Sequence, residues 1–118
     1  MPIVMIRTHG PIDVDRMEAV SARVSRELAA AIGSVPENVW AHFSPMWGLR
    51  EGLHAPEPST YHPVVTVLAN PRPEEEIRRG LRAVGEAVAA GIGVRVEQVW
   101  VHWVDLPPGR VLAGGEVR

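Results

Sequence analysis

The sequence repeats itself. Ile32-Gly33 returns as Ile92-Gly93, Glu37 as Glu97, Val39-Trp40 as Val99-Trp100 and His42 as His102, all at a constant offset of 60 residues. Near the start of each half, Pro2-Ile3-Val4 matches Pro63-Val64-Val65 at an offset of 61, so the intervening turn has gained one residue. Agreement of this kind along two units marks an internal duplication and is stronger than any single motif. The 118 residues must therefore fold as two copies of one supersecondary unit.

Each copy reads as strand, helix, strand. Residues 3–8 are a short run rich in β-formers that ends at the turn signal His9-Gly10-Pro11. Asp13 or Asp15 can then cap a helix whose apolar positions, Met17, Val20, Val24, Leu28 and Ile32, recur at steps of three and four until Gly33 stops it. Residues 39–44 alternate, with Val39, Ala41 and Phe43 on one side and Trp40, His42 and Ser44 on the other. The second copy gives a strand over residues 63–69, a turn at Asn70-Pro71-Arg72-Pro73, and a helix that opens on Glu74, Glu75 and Glu76, where the macrodipole favours negative charge. Ile77, Leu81, Val84, Val88 and Ile92 stripe that helix, Gly93 ends it, and residues 99–104 form the fourth strand. Pro107-Pro108-Gly109 and Gly114-Gly115 mark a closing turn and hairpin.

A crossover helix makes the two strands of each unit parallel, with a right-handed connection. The expected fold is thus an α+β two-layer structure: tandem βαβ repeats forming a four-stranded sheet, with two helices on one face because each carries a single apolar stripe. Its expected layout is one domain spanning residues 1–118, with repeats over about 1–46 and 61–106, a linker loop over 47–60 and a C-terminal hairpin over 107–118. The sheet face bearing Trp40, His42, Trp100 and His102 has no helix left to cover it. In a chain this small, another subunit is the expected cover.

Composition removes several classes of function. A net charge of −2 without a Lys/Arg cluster argues against nucleic acid or an anionic membrane as a partner. With no cysteine there is neither a disulfide framework nor thiolate chemistry, and the N-terminus lacks a signal-peptide pattern, so a cytoplasmic protein is expected. His9, His42, His54, His62 and His102 show no metal-ligand spacing. Phosphate-binding glycine loops and a Gly-x-Ser-x-Gly elbow are also missing. No metal and no cofactor are expected.

Pro2 is the residue with chemical potential. Once Met1 is removed its nitrogen is a secondary amine with a free lone pair, on a ring that fixes φ. With Met1 retained, the same nitrogen is an amide without useful basicity. Pro63, its counterpart, is internal and can supply no amine, so one proline site per chain is expected.

Pro2, the βαβ unit, the glycine helix stop and the closing segment Asp105-Leu106-Pro107-Pro108-Gly109-Arg110-Val111-Leu112-Ala113-Gly114-Gly115-Glu116 together resemble the tautomerase superfamily, in particular a fused, double-length 4-oxalocrotonate tautomerase. The resemblance spans nearly the whole chain. It implies a cofactor-independent tautomerase or isomerase of small keto–enol or unsaturated acids with Pro2 as general base, assembled as a homotrimer with helices outside a ring of sheets. It also carries departures. The arginine that follows the first turn in short members falls on Pro11 or Ile12, a second falls on Trp40 and Trp100, and the aromatic residue of the closing loop falls on Val111. Arg72, in the matching turn of the second half, is the first choice for holding a substrate carboxylate. His102 takes the place of a tyrosine found in dehalogenase-type relatives, and Trp100, Arg7 and Arg110 complete the expected substrate-binding set. Alternatives are a hydratase, dehalogenase or decarboxylase that keeps Pro2 protonated, and a non-catalytic ferredoxin-like module for binding or oligomerisation.

Overall fold

A computed structural model of the chain describes residues 1–9, 12–46 and 62–118, so the expected linker at 47–60 lies outside the described residues. The first repeat is β1 (Ile3–His9), α1 (Val14–Ala31) and β2 (Trp40–Met46). The second is β3 (Val64–Ala69), α2 (Glu74–Ile92) and β4 (Trp100–Asp105), followed by the small hairpin β5 (Leu112–Ala113) and β6 (Glu116–Val117). The four long strands form one sheet in the order β2-β1-β3-β4. Each repeat pairs its own strands in parallel, and β1 runs antiparallel to β3 where the repeats meet. This is the expected two-layer α+β fold.

Both helices lie on one face, and their stripes make the core. Val20, Val24, Leu28 and Ile32 from α1 and its end meet Val84, Val88 and Ile92 of α2 over Val4, Ile6, Val65 and Val67 of the central strands. Asp13 is the cap of α1, its carboxylate accepting from the Arg16 backbone N–H at 2.7 Å. Gly33 and Gly93 adopt positive φ of 68° and 88° at the helix ends, which explains why both halves keep glycine there.

Strand ends otherwise shift by a single residue, and two larger differences have identifiable reasons. Strand β2 continues through Ser44 and Pro45 to Met46 instead of stopping at residue 44. It is an edge strand, where a proline costs no ladder bond if its nitrogen side faces outward. Each second strand is also preceded by a single 3-10 turn, Pro36–Asn38 and Val96–Gln98, which the hydrophobic pattern did not signal because three residues are too few to show a period.

The duplication is visible in the registers. Ile3 pairs with Trp40 as Val64 pairs with Trp100, which agrees with the 61-residue offset at the strand starts. The two halves then differ by a compensated exchange. Trp103 stands where the first half has Phe43, and Gly80 stands where it has Val20. A Cβ on Gly80 would lie 2.8 Å from the Trp103 ring, so the larger ring is accommodated by the missing side chain.

Candidate active site

Pro2 opens β1 with its side chain fully buried and its carbonyl accepting from the Trp40 N–H at 3.0 Å. Having no N–H, it takes the one place in the strand where a donor is not needed. Pro63 does the same for β3, accepting from the Trp100 N–H at 2.9 Å. Because β1 and β3 are antiparallel, with Ile3 opposite Leu68 and Arg7 opposite Val64, the two prolines stand at opposite ends of the sheet. By that register Pro63 stands level with Thr8, six residues along β1 from Pro2, or roughly 20 Å at the usual strand rise.

A cleft of about 550 Å³ lies at the Pro2 end. Ile3 and Trp40 contribute from the uncovered sheet face, Asn70 and Leu106 from just beyond β3 and β4, and residues 111–114 with Arg118 from the hairpin. Met1, bonded to the nitrogen of Pro2, forms another part of the wall. Most of this lining is apolar. Among the described residues its polar side-chain groups are the Trp40 indole N–H, the Asn70 amide and the Arg118 guanidinium, and no acidic side chain lines it. The hairpin is held in place by paired backbone bonds between Arg118 and Val111, at 2.7 and 3.3 Å, and by Gly109 N–H donating to the Arg118 carbonyl at 2.9 Å.

The remaining residues expected from sequence sit elsewhere within one chain. Arg72 precedes α2 and donates through Nη1 to Glu76 Oε2 at 3.2 Å, both side chains about a quarter exposed at 25% and 29%. Its Nε is buried and has no hydrogen-bond partner among the described residues. Arg7 is exposed on the uncovered face, in the row of Val64 and Trp100 at the Pro63 end. Arg110 is exposed in the closing turn, with Nη1 3.4 Å from the Gly109 carbonyl.

His102 stands on the edge strand β4, in the middle row of the uncovered face and beside Thr66. The Trp100 indole N–H, which can only donate, reaches His102 Nδ1 at 3.1 Å. In the neutral ring the proton then sits on Nε2, from where it donates to Thr66 Oγ1 at 3.0 Å. Both ring nitrogens are thereby engaged. His42, the counterpart of His102, lies opposite Met5 instead of a threonine and has no such relay among the described residues.

Sequence reasoning missed Asn70 and Arg118 and placed Trp40 on the face to be covered by another subunit, outside the substrate-binding set. Asn70 follows β3 directly, and only the antiparallel pairing of the repeats brings that strand's end to Pro2. Arg118 follows a two-residue hairpin strand too short to announce its direction. Among the described residues no group of three His, Asp or Glu side chains could hold a metal ion, and no helix is long and apolar enough to cross a membrane. His54 lies outside the described residues.

No family model matches the sequence, and no curated protein matches it either. Solved structures do. Native fused 4-oxalocrotonate tautomerase superposes with a TM-score of 0.88 at 20% identity, covering 98% of this chain and 94% of that one. The fold is that of the tautomerase superfamily. A second fused 4-oxalocrotonate tautomerase, solved as an asymmetric trimer, matches at a TM-score of 0.82 and 18% identity over 96% of this chain and 94% of its own. Malonate semialdehyde decarboxylase matches at 0.76 and 15% identity over 98% and 92%. Two fused βαβ units, a proline opening the first strand and a cleft beside it are thus arranged on a tautomerase scaffold.

Proposed function

We propose that the protein is a cofactor-independent tautomerase or isomerase of small keto–enol or unsaturated acids, in which Pro2, freed by removal of Met1, is the general base. The observation that carries this reading is the placement of Met1 in the wall of the cleft, at the bond whose cleavage frees the Pro2 nitrogen. The surrounding apolar side chains disfavour a cation and so favour the neutral amine. That amine takes the proton α to a carbonyl, and the C–H bonding pair moves into an enolate. The protonated amine then returns the proton one vinylogous position away, which completes the isomerisation without any other reagent. N–H groups of Trp40 and Asn70 in the wall suit the oxygen on which negative charge develops.

The substrate is a small carboxylate or keto acid, and the chain works as a cytoplasmic homotrimer. Fused 4-oxalocrotonate tautomerase forms a trimer. In a trimer of this chain the uncovered sheet face meets a neighbour, and Arg7, Trp100, His102 and Arg110 are the groups one chain offers to the next chain's cleft. Arg72 completes the set by releasing Glu76 for a substrate carboxylate.

Pro2→Ala tests the base. Turnover of phenylpyruvate enol or 2-hydroxymuconate is expected to fall by about 10²- to 10⁴-fold, the usual contribution of a positioned base. Unchanged turnover sinks the proposal, as does an intact mass showing that Met1 persists in active protein. The similarity to malonate semialdehyde decarboxylase favours a second reading, hydration or decarboxylation with Pro2 protonated. Direct titration of the Pro2 amine separates the two: a midpoint near neutrality fits the base, and one well above it fits the acid.

A further inference from the structure

We infer that the middle row of the uncovered sheet face is an acid-sensitive latch for self-association, worked by His102 and His42. This rests on the homotrimer proposed above but is separable from it by experiment. The row runs His42, Met5, Thr66, His102 across β2, β1, β3 and β4. When one repeat is laid on the other, the rows on either side of it exchange: Ile3 takes the place of Val64, Trp40 of Trp100 and Arg7 of Leu68. The middle row alone maps onto itself, so the twofold relation of the repeats crosses the sheet there. Both histidines sit on edge strands. In a ring of three such sheets the β4 edge of one chain comes to the β2 edge of the next, and the same twofold relation carries the middle row across the seam. His102 then faces His42 of the partner subunit.

The hydrogen bonds of His102 make this row responsive to protons. The Trp100 indole donates to Nδ1 at 3.1 Å, which requires a neutral ring whose proton sits on Nε2, 3.0 Å from Thr66 Oγ1. A second proton has only Nδ1 to bind, where it meets the indole N–H head on, and two donors cannot share one bond. The indole must leave. Trp100 is 65% exposed on the same face, so its departure redraws the surface that the next chain covers. The charged and titratable groups of that face are Arg7 and, one row further along β1, His9, with His42 on β2 and His102 on β4, while β3 supplies Val64, Thr66 and Leu68. His9 is buried and stacked on His62, with ring centroids 5.8 Å apart. Asp105 pairs with the buried Ala69 and so belongs by strand parity to the helix side. The hairpin that carries Glu116 and Arg118 meets the face in the first row, at Ile3 and Trp40. Acid therefore adds positive charge that no carboxylate offsets within the three rows, on a face that assembly desolvates. Histidines that are neutral in joined chains and free to take up protons in separate ones drive the chains apart as the pH falls through their ordinary range.

Light scattering across a pH series tests the latch. The unsubstituted protein should have the mass of three chains at about pH 7.5 and of one at about pH 5.5, reversibly and with its helical far-ultraviolet spectrum intact. About one pH unit below the ordinary histidine midpoint, each proton excluded by assembly weakens association roughly tenfold. His102→Gln keeps an acceptor for the indole and a donor for Thr66 but takes no proton, so it should hold the trimer to lower pH. Adding His42→Gln should remove most of the remaining pH dependence. In proton–nitrogen correlation spectra the Trp100 indole signal, assigned with Trp100→Phe, should move with acid in the unsubstituted protein and stay in place in His102→Gln. The latch is overturned, and the trimer left standing, by a trimer that persists at the acid end or by a doubly substituted protein that separates at the unsubstituted midpoint. Separation that comes only as the helical spectrum is lost has the same meaning, because the fold and not the face then responds. A mass of one chain already at the neutral end overturns both the latch and the assembly it rests on.

Discussion

Gly91 stands where α2 passes closest to Val20 of α1: a Cβ built on it would lie 2.7 Å from Val20 Cγ2 and 3.5 Å from Val20 Cα. Val20 is β-branched and fully buried, so it has one strongly preferred rotamer in a helix and nowhere to turn. The helices must therefore separate to admit a methyl group. Alanine is worth about 1 kcal/mol more than glycine in a helix, while overpacking a core costs roughly 1–3 kcal/mol. Gly91→Ala is expected to lower the melting temperature by several degrees, measured by circular dichroism, because the packing effect wins. An unchanged or raised melting temperature would show that the helices part at no cost. At the same scale, Pro2 and Pro63 show how much single residues disclose through the sequence alone. The repeat made their equivalence legible, and the internal position of Pro63 limited amine chemistry to the first half. That Trp40, and not Trp100, shares an end with Pro2 follows from strand direction, which no single residue records.

The helices are joined by more than their apolar stripes. Arg16, in the first turn of α1, donates through Nε to the Gly91 carbonyl in the last turn of α2 at 3.2 Å, and Arg79 of α2 donates to the Ala31 carbonyl at the end of α1 at 3.1 Å. Neither helix has a basic residue in its own last turn, so each antiparallel partner supplies the cation that the macrodipole favours there. Arg79→Ala should destabilise the fold by about 1 kcal/mol, seen as a lower urea midpoint with an unchanged slope, and the effect should shrink in high salt. A substitution without effect on the midpoint would show the contact to be idle. Helix spans and core positions were legible because α1 and α2 keep a three-four period over 18 and 19 residues. The 3-10 turns, the extension of β2 through Pro45 and the placement of Arg118 were not, since each is decided by pairing between segments distant in sequence.

On the molecular scale the sheet has one face sealed by helices and one without a helix. The second face carries Trp40, Ile3, Leu68 and Val104 in one row, His42, Met5, Thr66 and His102 in the next, and Ser44, Arg7, Val64 and Trp100 in the third. Trp40 and Trp100 are 53% and 65% exposed in the isolated chain. An apolar surface of this breadth is ordinarily buried against a partner, and a threefold assembly lets the same face on each chain close on the next. Light scattering on the purified protein should therefore give the mass of three chains. Leu68 lies between Ile3 and Val104 on this face, where a carboxylate would be desolvated among apolar side chains. Leu68→Glu should shift the mass toward one chain while the far-ultraviolet spectrum stays helical, because the opposite face still holds α1 and α2. Turnover should fall with it if neighbouring chains complete the cleft, and raising the protein concentration should restore both together. A Leu68→Glu protein that remains trimeric, or that is monomeric and fully active, removes the interface from the catalytic unit.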